Sequence, residues 1–262
     1  MNATAARLTA LGRAELTLLT RNRNNLFVAL LMPVLMVFLL RTSLAGMDEG
    51  GLPIGVAEAT MVGGTGMVLC LVVYMNLVAT YVARREELVL KRLRTGEARD
   101  TEILAGGALP AAVIALAQCA VLTALGPAAL GAAAPRRPDL LLLGALAGIV
   151  LLAALAAVTT VITRSVESAG LTTLPFFLVS AMGSGLMVPV ESLPDAVASV
   201  CSLLPLSGPM ELVRAGWLGT GGEAGAAGVG GKELLGAGLT TVAWIVLSVF
   251  AVRKWFRWEP RR

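Results

Sequence analysis

The chain has 262 residues, of which 56% are hydrophobic and only 15% charged, with a formal net charge of +4 and a mean hydropathy of +0.80. Soluble domains carry about 25% charged residues, so a chain this apolar cannot cover its surface in water. Disordered proteins, nucleic-acid-binding domains and most soluble enzymes are excluded, and a polytopic membrane protein is expected. No histidine is present, which removes the commonest general base and a common metal ligand. Cys70, Cys119 and Cys201 lie far apart, show no CxxC spacing and read as small buried hydrophobes.

Residues 1–23 hold Arg7, Glu15, Arg21 and Arg23 and have no compact apolar core, so they do not read as a signal peptide. Leu8, Leu11, Leu18 and Leu19 gather on one helical face. This predicts an amphipathic helix lying in the membrane interface over 1–23, ahead of a transmembrane domain over 24–262. Six apolar runs follow: 26–40, 59–83, 103–135, 140–163, 168–190 and 234–252, the third interrupted by Pro110 and Pro127. About 20 residues of helix cross a bilayer core of ~30 Å. Helices pair their own backbone groups in lipid, so the expected fold is an all-α integral membrane protein with six transmembrane helices.

The loops divide unequally. Segments 1–23, 84–102, Arg164 and 253–262 hold 16 Lys and Arg, whereas the alternate loops hold 5. By the positive-inside rule, the expected orientation places both termini in the cytoplasm. Trp255 and Trp258, beside Arg253, Lys254 and Arg257, suit an inner interfacial anchor. The stretch 219–231 has seven glycines and reads as a flexible linker. Arg outnumbers Lys 18 to 3 among abundant Ala and Gly, a composition that points to a GC-rich bacterial source.

The spans contain no ionisable carboxylate or base, which argues against an ion-coupled carrier. Their polar residues are mild. Asn76, Thr80, Gln118, Thr159 and Thr160 suit inter-helix hydrogen bonds or the lining of a translocation path, with Asn76, Thr80 and Gln118 the candidates for a substrate path. Glu86-Glu87 and Gly183-Ser184-Gly185 superficially suggest intramembrane protease sites, but both chemistries need a histidine. The run 226–232 approximates a Walker A loop, yet Glu233 stands where a Mg²⁺-binding Ser or Thr belongs, and no strand precedes it. If ATP drives this chain, the ATPase is another polypeptide.

Two segments carry a resemblance. The first is 84–106, with Arg85, Glu86, Glu87, Leu93, Arg94, Thr95-Gly96 and Glu102. The second is 182–219, with Gly183, Gly185, Pro189, Leu193-Pro194, Leu204-Pro205-Leu206, Arg214 and Trp217. With Pro33 and the six-span plan, they resemble the permease subunits of type-2 ABC exporters, the group that includes daunorubicin-resistance-type and polysaccharide or lipid exporters. Ser207-Gly208 and Gly106-Gly107 depart from the usual pattern of that group. The resemblance implies a bacterial plasma-membrane efflux permease for a hydrophobic or amphipathic substrate, of a kind found in antibiotic resistance. It implies two copies of a cytoplasmic ABC ATPase that bind ATP and Mg²⁺, with no cofactor or metal in this chain. A homodimer of permeases is expected, with a heterodimer open, in contact with lipid and not with nucleic acid.

Residues 84–94 favour a helix, with Glu87 and Lys91 paired at i, i+4 and Leu90 and Leu93 forming an apolar stripe. Thr95-Gly96 is expected to end it and Asp100 to cap the next helix. This inner coupling helix is expected to dock on the ATPase through Arg85, Glu86, Glu87, Leu90, Arg92, Leu93, Arg94, Glu97, Arg99 and Glu102. Between spans five and six, the apolar segments 195–204 and 210–218 are too short to cross and suit a re-entrant helical hairpin. An outer gate is expected there, built on Gly183, Gly185, Pro189, Pro194, Pro205 and Arg214. A GxxxG at Gly144 and Gly148 is a weak packing signal in so glycine-rich a chain. A non-transporting membrane sensor or self-immunity protein is the alternative function.

Overall fold

The computed structural model describes residues 23–46, 54–94, 99–188, 193–221, 229–256 and 258. Nearly all of the expected interfacial helix, the centre of the Gly-rich linker, Thr95-Gly96, Glu97 and Pro189 lie outside the described residues. The described chain is helical: α1 Arg23–Ala45, α2 Val56–Val68, a π-helical segment Leu69–Met75, α3 Asn76–Glu86, α4 Val89–Arg94, α5 Asp100–Leu130, α6 Pro138–Thr159, α7 Val166–Gly183, α8 Asp195–Cys201, α9 Ser207–Leu218 and α10 Gly231–Trp255. Five stretches are long and apolar enough to cross a membrane: Val56–Glu86, Asp100–Leu130, Pro138–Thr159, Val166–Gly183 and Gly231–Trp255. The 23-residue α1 adds a shorter apolar stretch, Val34–Ala45.

The rod made of α2, the π segment and α3 stands at the centre. Burial covers 67% of its apolar window, against 17% for α10 at the periphery. Small residues make that central place possible. A methyl group on Gly66 would meet Leu186 Cγ at 2.7 Å, and one on Gly64 would meet Val37 Cγ2 at 3.0 Å. Glycine at these positions lets α1 and the turn after α7 lie directly on the rod. In the π segment the Asn76 N–H reaches back five residues to the Leu71 carbonyl. Tyr74, in this widened turn, hydrogen-bonds through its hydroxyl to Thr159 Oγ1 at 2.9 Å and packs on the Phe176 ring at 4.4 Å.

A second close approach joins α6 to α9. A methyl on Gly144 would lie 2.8 Å from the Pro209 carbonyl oxygen, and one on Gly216 would lie 2.6 Å from the Leu141 nitrogen. The GxxxG pair therefore packs inside the chain, with Gly148 turned to Leu69. The twelve residues of α9 reach about 18 Å, too short to cross, and most of its residues are buried.

Several boundaries differ from expectation. The helix α5 runs unbroken through Pro110 and Pro127 and ends at Gly131 in the left-handed region (φ 72). Each proline removes one donor, whereas breaking the helix in apolar surroundings would leave several groups unpaired. The fifth run ends at Gly183, because Gly185 turns left-handed (φ 75) and folds Leu186 back onto the rod. The helices of the hairpin are 195–201 and 207–218, joined by a turn at 202–206.

Replacing Gly144 by Leu is expected to overpack the α6–α9 crossing by about 1–3 kcal/mol, read as a lower melting temperature of the purified protein in detergent. Gly170→Ala, in α7 with nothing within 4 Å, is expected to leave the melting temperature unchanged or raise it.

Candidate functional site

Most of the expected site residues that are described lie towards the two ends of the bundle. At one end, called the basic end here, the chain leaves the central rod at Glu86. Leu88 then takes a left-handed backbone (φ 59), rare for a residue with a side chain. The helix expected over 84–94 is thereby split into the end of α3 and the short α4. Glu87 pairs with Arg84 at 3.3 Å, and the side chain of Lys91, its expected partner, lies outside the described residues.

The expected coupling residues separate into two sets. Glu86, Glu87, Arg92 and Arg99 are exposed. Arg94 is the last residue of α4, and Glu97 lies outside the described residues. Of the other four, Arg85, Glu102 and Leu90 are interior residues, a correction to their expected place on the surface, and Leu93 is half-buried. Arg85 is only 1% exposed and donates to the carbonyls of Thr160 and Thr163, each at 2.7 Å. Glu102 is buried and accepts the Arg99 N–H at 3.0 Å, so Arg99, not Asp100, stands at the start of α5. Leu90 is buried against Ile103 and Trp258, and Leu93 packs beside them. The apolar stripe of α4 thus meets the chain's own helix. Of the charged residues of α4, Arg92 is exposed, and the side chains of Lys91 and Arg94 lie outside the described residues.

Trp258 is corrected as well. It is buried under α4, with its ring edge-on to Phe256 at 4.9 Å, whereas Trp255 stays exposed beside Lys254. Phe256 and Trp258 are therefore part of what holds α4 in place, a role the anchor-like run of basic residues and tryptophans concealed.

At the far end a cavity of about 550 Å³ lies between the rod, the 184–187 turn, the α8–α9 hairpin and the start of α10. Val62, Leu186 and Met210 form apolar walls, and Glu211, Arg214 and Glu233 give it a charged side. Arg214 pairs with Glu211 at 3.3 Å. Among the expected gate residues, Gly183 and Gly185 line the cavity with Arg214. Gly183 packs on Cys201 and Leu204, Pro194 stands at the start of α8, and Pro205 lies in the hairpin turn. Pro189 lies outside the described residues.

The hairpin is fastened by polar bonds. The Trp244 indole N–H donates to the Leu203 carbonyl at 2.9 Å, and the Ser207 hydroxyl donates to the Cys201 carbonyl at 2.6 Å. Ser184 and Ser207 hydroxyls meet at 3.0 Å. The loop before α6 closes the other side, where the Arg137 N–H donates to the Gly216 carbonyl at 2.9 Å. Asp139 grips the Arg137 guanidinium with two bonds, 3.0 and 2.7 Å, and that hydrogen bonding raises its pKa further.

Asn76, Thr80 and Gln118 are all half-buried, and none lines the cavity. Asn76 and Thr80 share one face of α3, while Gln118 sits on α5. Among the described residues, the hydroxyl of Tyr74 meets that of Thr159, and the hydroxyl of Thr163 meets that of Thr172.

Trp244→Phe removes one exposed tie of the hairpin, worth about 1 kcal/mol or less. The expected outcome is faster amide hydrogen exchange across 195–206, with the exchange of α6 unchanged.

Comparison with known families agrees with this architecture. The model for the ABC-2 type transporter family matches residues 6–218, which run to the last residue of α9. No curated protein matches the chain. The span of that match, over helices of membrane-crossing length, leads to the conclusion that this chain belongs to the ABC-2 type transporter family and is a multi-pass transmembrane subunit of an ABC transporter.

Proposed function

We propose that this chain is the six-span permease of an ATP-driven exporter, with α1 as its first span. Two copies form the translocation path, and two cytoplasmic ATPase subunits bind ATP and Mg²⁺ and dock at the basic end. The chain sits in a bacterial plasma membrane with both termini in the cytoplasm. The 16-to-5 division of Lys and Arg supports this orientation.

The observation that carries the reading is α4. It is a short helix held onto α5 by Leu90, with Glu86, Glu87 and Arg92 exposed at the end of the central rod. A charged, rigidly seated helix at the cytoplasmic mouth is what a soluble ATPase can push. The far-end cavity supports the other half of the cycle. Its hairpin roof is pinned by a few hydrogen bonds, so it is suited to act as an outer gate that opens when the inner helices close. Apolar walls with a Glu211–Arg214 pair suit a hydrophobic or amphipathic cargo.

The test is co-purification with the ATPase encoded beside this chain, followed by vanadate-sensitive ATP hydrolysis and transport in proteoliposomes. Reversing Arg92 and Arg94 to Glu is expected to lower transport about tenfold or more, while membrane insertion stays intact. A chain that purifies alone and leaves hydrolysis unaffected would instead favour a non-transporting sensor or self-immunity protein.

A further inference from the structure

The buried Arg85 has no place in a docking surface, yet a guanidinium inside an apolar bundle needs a physical reason. Its partners supply one. The Thr160 and Thr163 carbonyls it holds at 2.7 Å, with that of Arg164 at 3.5 Å, form the corner between α6 and α7. These carbonyls follow the end of a helix, where the backbone lacks intrahelical donors and the helix dipole is negative. A planar fork of donors suits several carbonyls at once, which a lysine cannot match.

The corner is tied onward. The Thr163 hydroxyl meets that of Thr172, nearly two turns into α7, at 2.8 Å. Along its length α7 packs chiefly on α3 and the π segment, where Phe176 rests on Tyr74. Little else holds it, because only 28% of its apolar window is buried. At its far end α7 stops at Gly183, on the wall of the cavity.

We propose that Arg85 is the positioning residue that makes α7 follow the central rod. A displacement imposed on α4 passes through α3 and Arg85 to the 160–164 corner, and α7 carries it to the cavity beneath the hairpin. This rests on the permease reading, in which the ATPase acts on α4, and adds the route by which the far end is reached.

The experiment uses the permease–ATPase complex in lipid nanodiscs. A spin label is placed on Ile162→Cys, a corner position 63% exposed, in a Cys201→Ser background that leaves only the buried Cys70 and Cys119. In the otherwise wild-type complex, vanadate trapping is expected to change the label's spectrum. With Arg85→Met, ATP hydrolysis is expected to continue within about twofold while the label stops responding to vanadate. Arg85→Lys, which keeps the charge but not the fork, is expected to restore part of the response.

A wild-type response in Arg85→Met, or a silent label in the wild-type complex that hydrolyses ATP, would overturn the proposal. Should Arg85→Met fail to assemble, Arg85→Gln carries the same comparison, and an undiminished response there overturns it equally. A wild-type chain that forms no complex with the ATPase would remove the permease reading itself, a result distinct from either.

Discussion

A peptide group at the end of a helix still needs a hydrogen-bond partner, and in hydrocarbon no water supplies one. Much of this structure follows from that requirement. The carbonyls after α6 are met by Arg85, and the Gly216 carbonyl near the end of α9 by the Arg137 N–H. The start of α5 is closed by Glu102, that of α10 by Glu233 and that of α7 by a reciprocal pair, Ser165 and Ser168. Glu58, in the first turn of α2, accepts the Ala133 N–H from the loop after α5. Some of these partners are local, but the ones at Arg85, Arg137 and Glu58 come from distant sequence. Those three tie spans together at their ends, where a transporter must transmit movement.

Between the ends, the absence of side chains sets the distances. Gly63, Gly64 and Gly66 let neighbours lie against the central rod, and Gly144 and Gly216 let a helix too short to cross settle deep on α6. Close approach maximises dispersion contacts where lipid offers no hydrophobic drive for helices to associate. The outer faces of α7 and α10 behave oppositely. Leu171, Leu178, Leu235, Leu239 and Val246 stand half to three-quarters exposed. In a multi-pass membrane protein such faces meet hydrocarbon, so their exposure is consistent with stability.

The two ends differ in how firmly they are built. At the basic end, α4 rests on a small cluster with Ile103 and Trp258, and Arg85 anchors the neighbouring corner. At the far end, α8 has no buried residue and its connection is held by single hydrogen bonds from Trp244 and Ser207. Local opening therefore costs less at the roof of the cavity than at the basic end.

Composition and charge determined by themselves that this is an all-helical membrane chain, because apolar runs of this length have few alternatives in lipid. The prolines and glycines of 182–219 marked the hairpin, since they stop helices through local geometry. Which polar residues face outward was another matter. Arg85, Glu86 and Glu87 are consecutive and chemically similar as surface residues, yet the first is buried and the others are exposed. Leu90 has the spacing of a docking stripe but covers Ile103, and Trp258 sits among basic residues like an interfacial anchor but packs under α4. The GxxxG pair found its partner only when α9 folded back. Local sequence determines where a helix can form and stop, but a side chain's direction depends on which element arrives beside it, and for Arg85 those neighbours come from 75 or more residues away. Only the tertiary structure decided that.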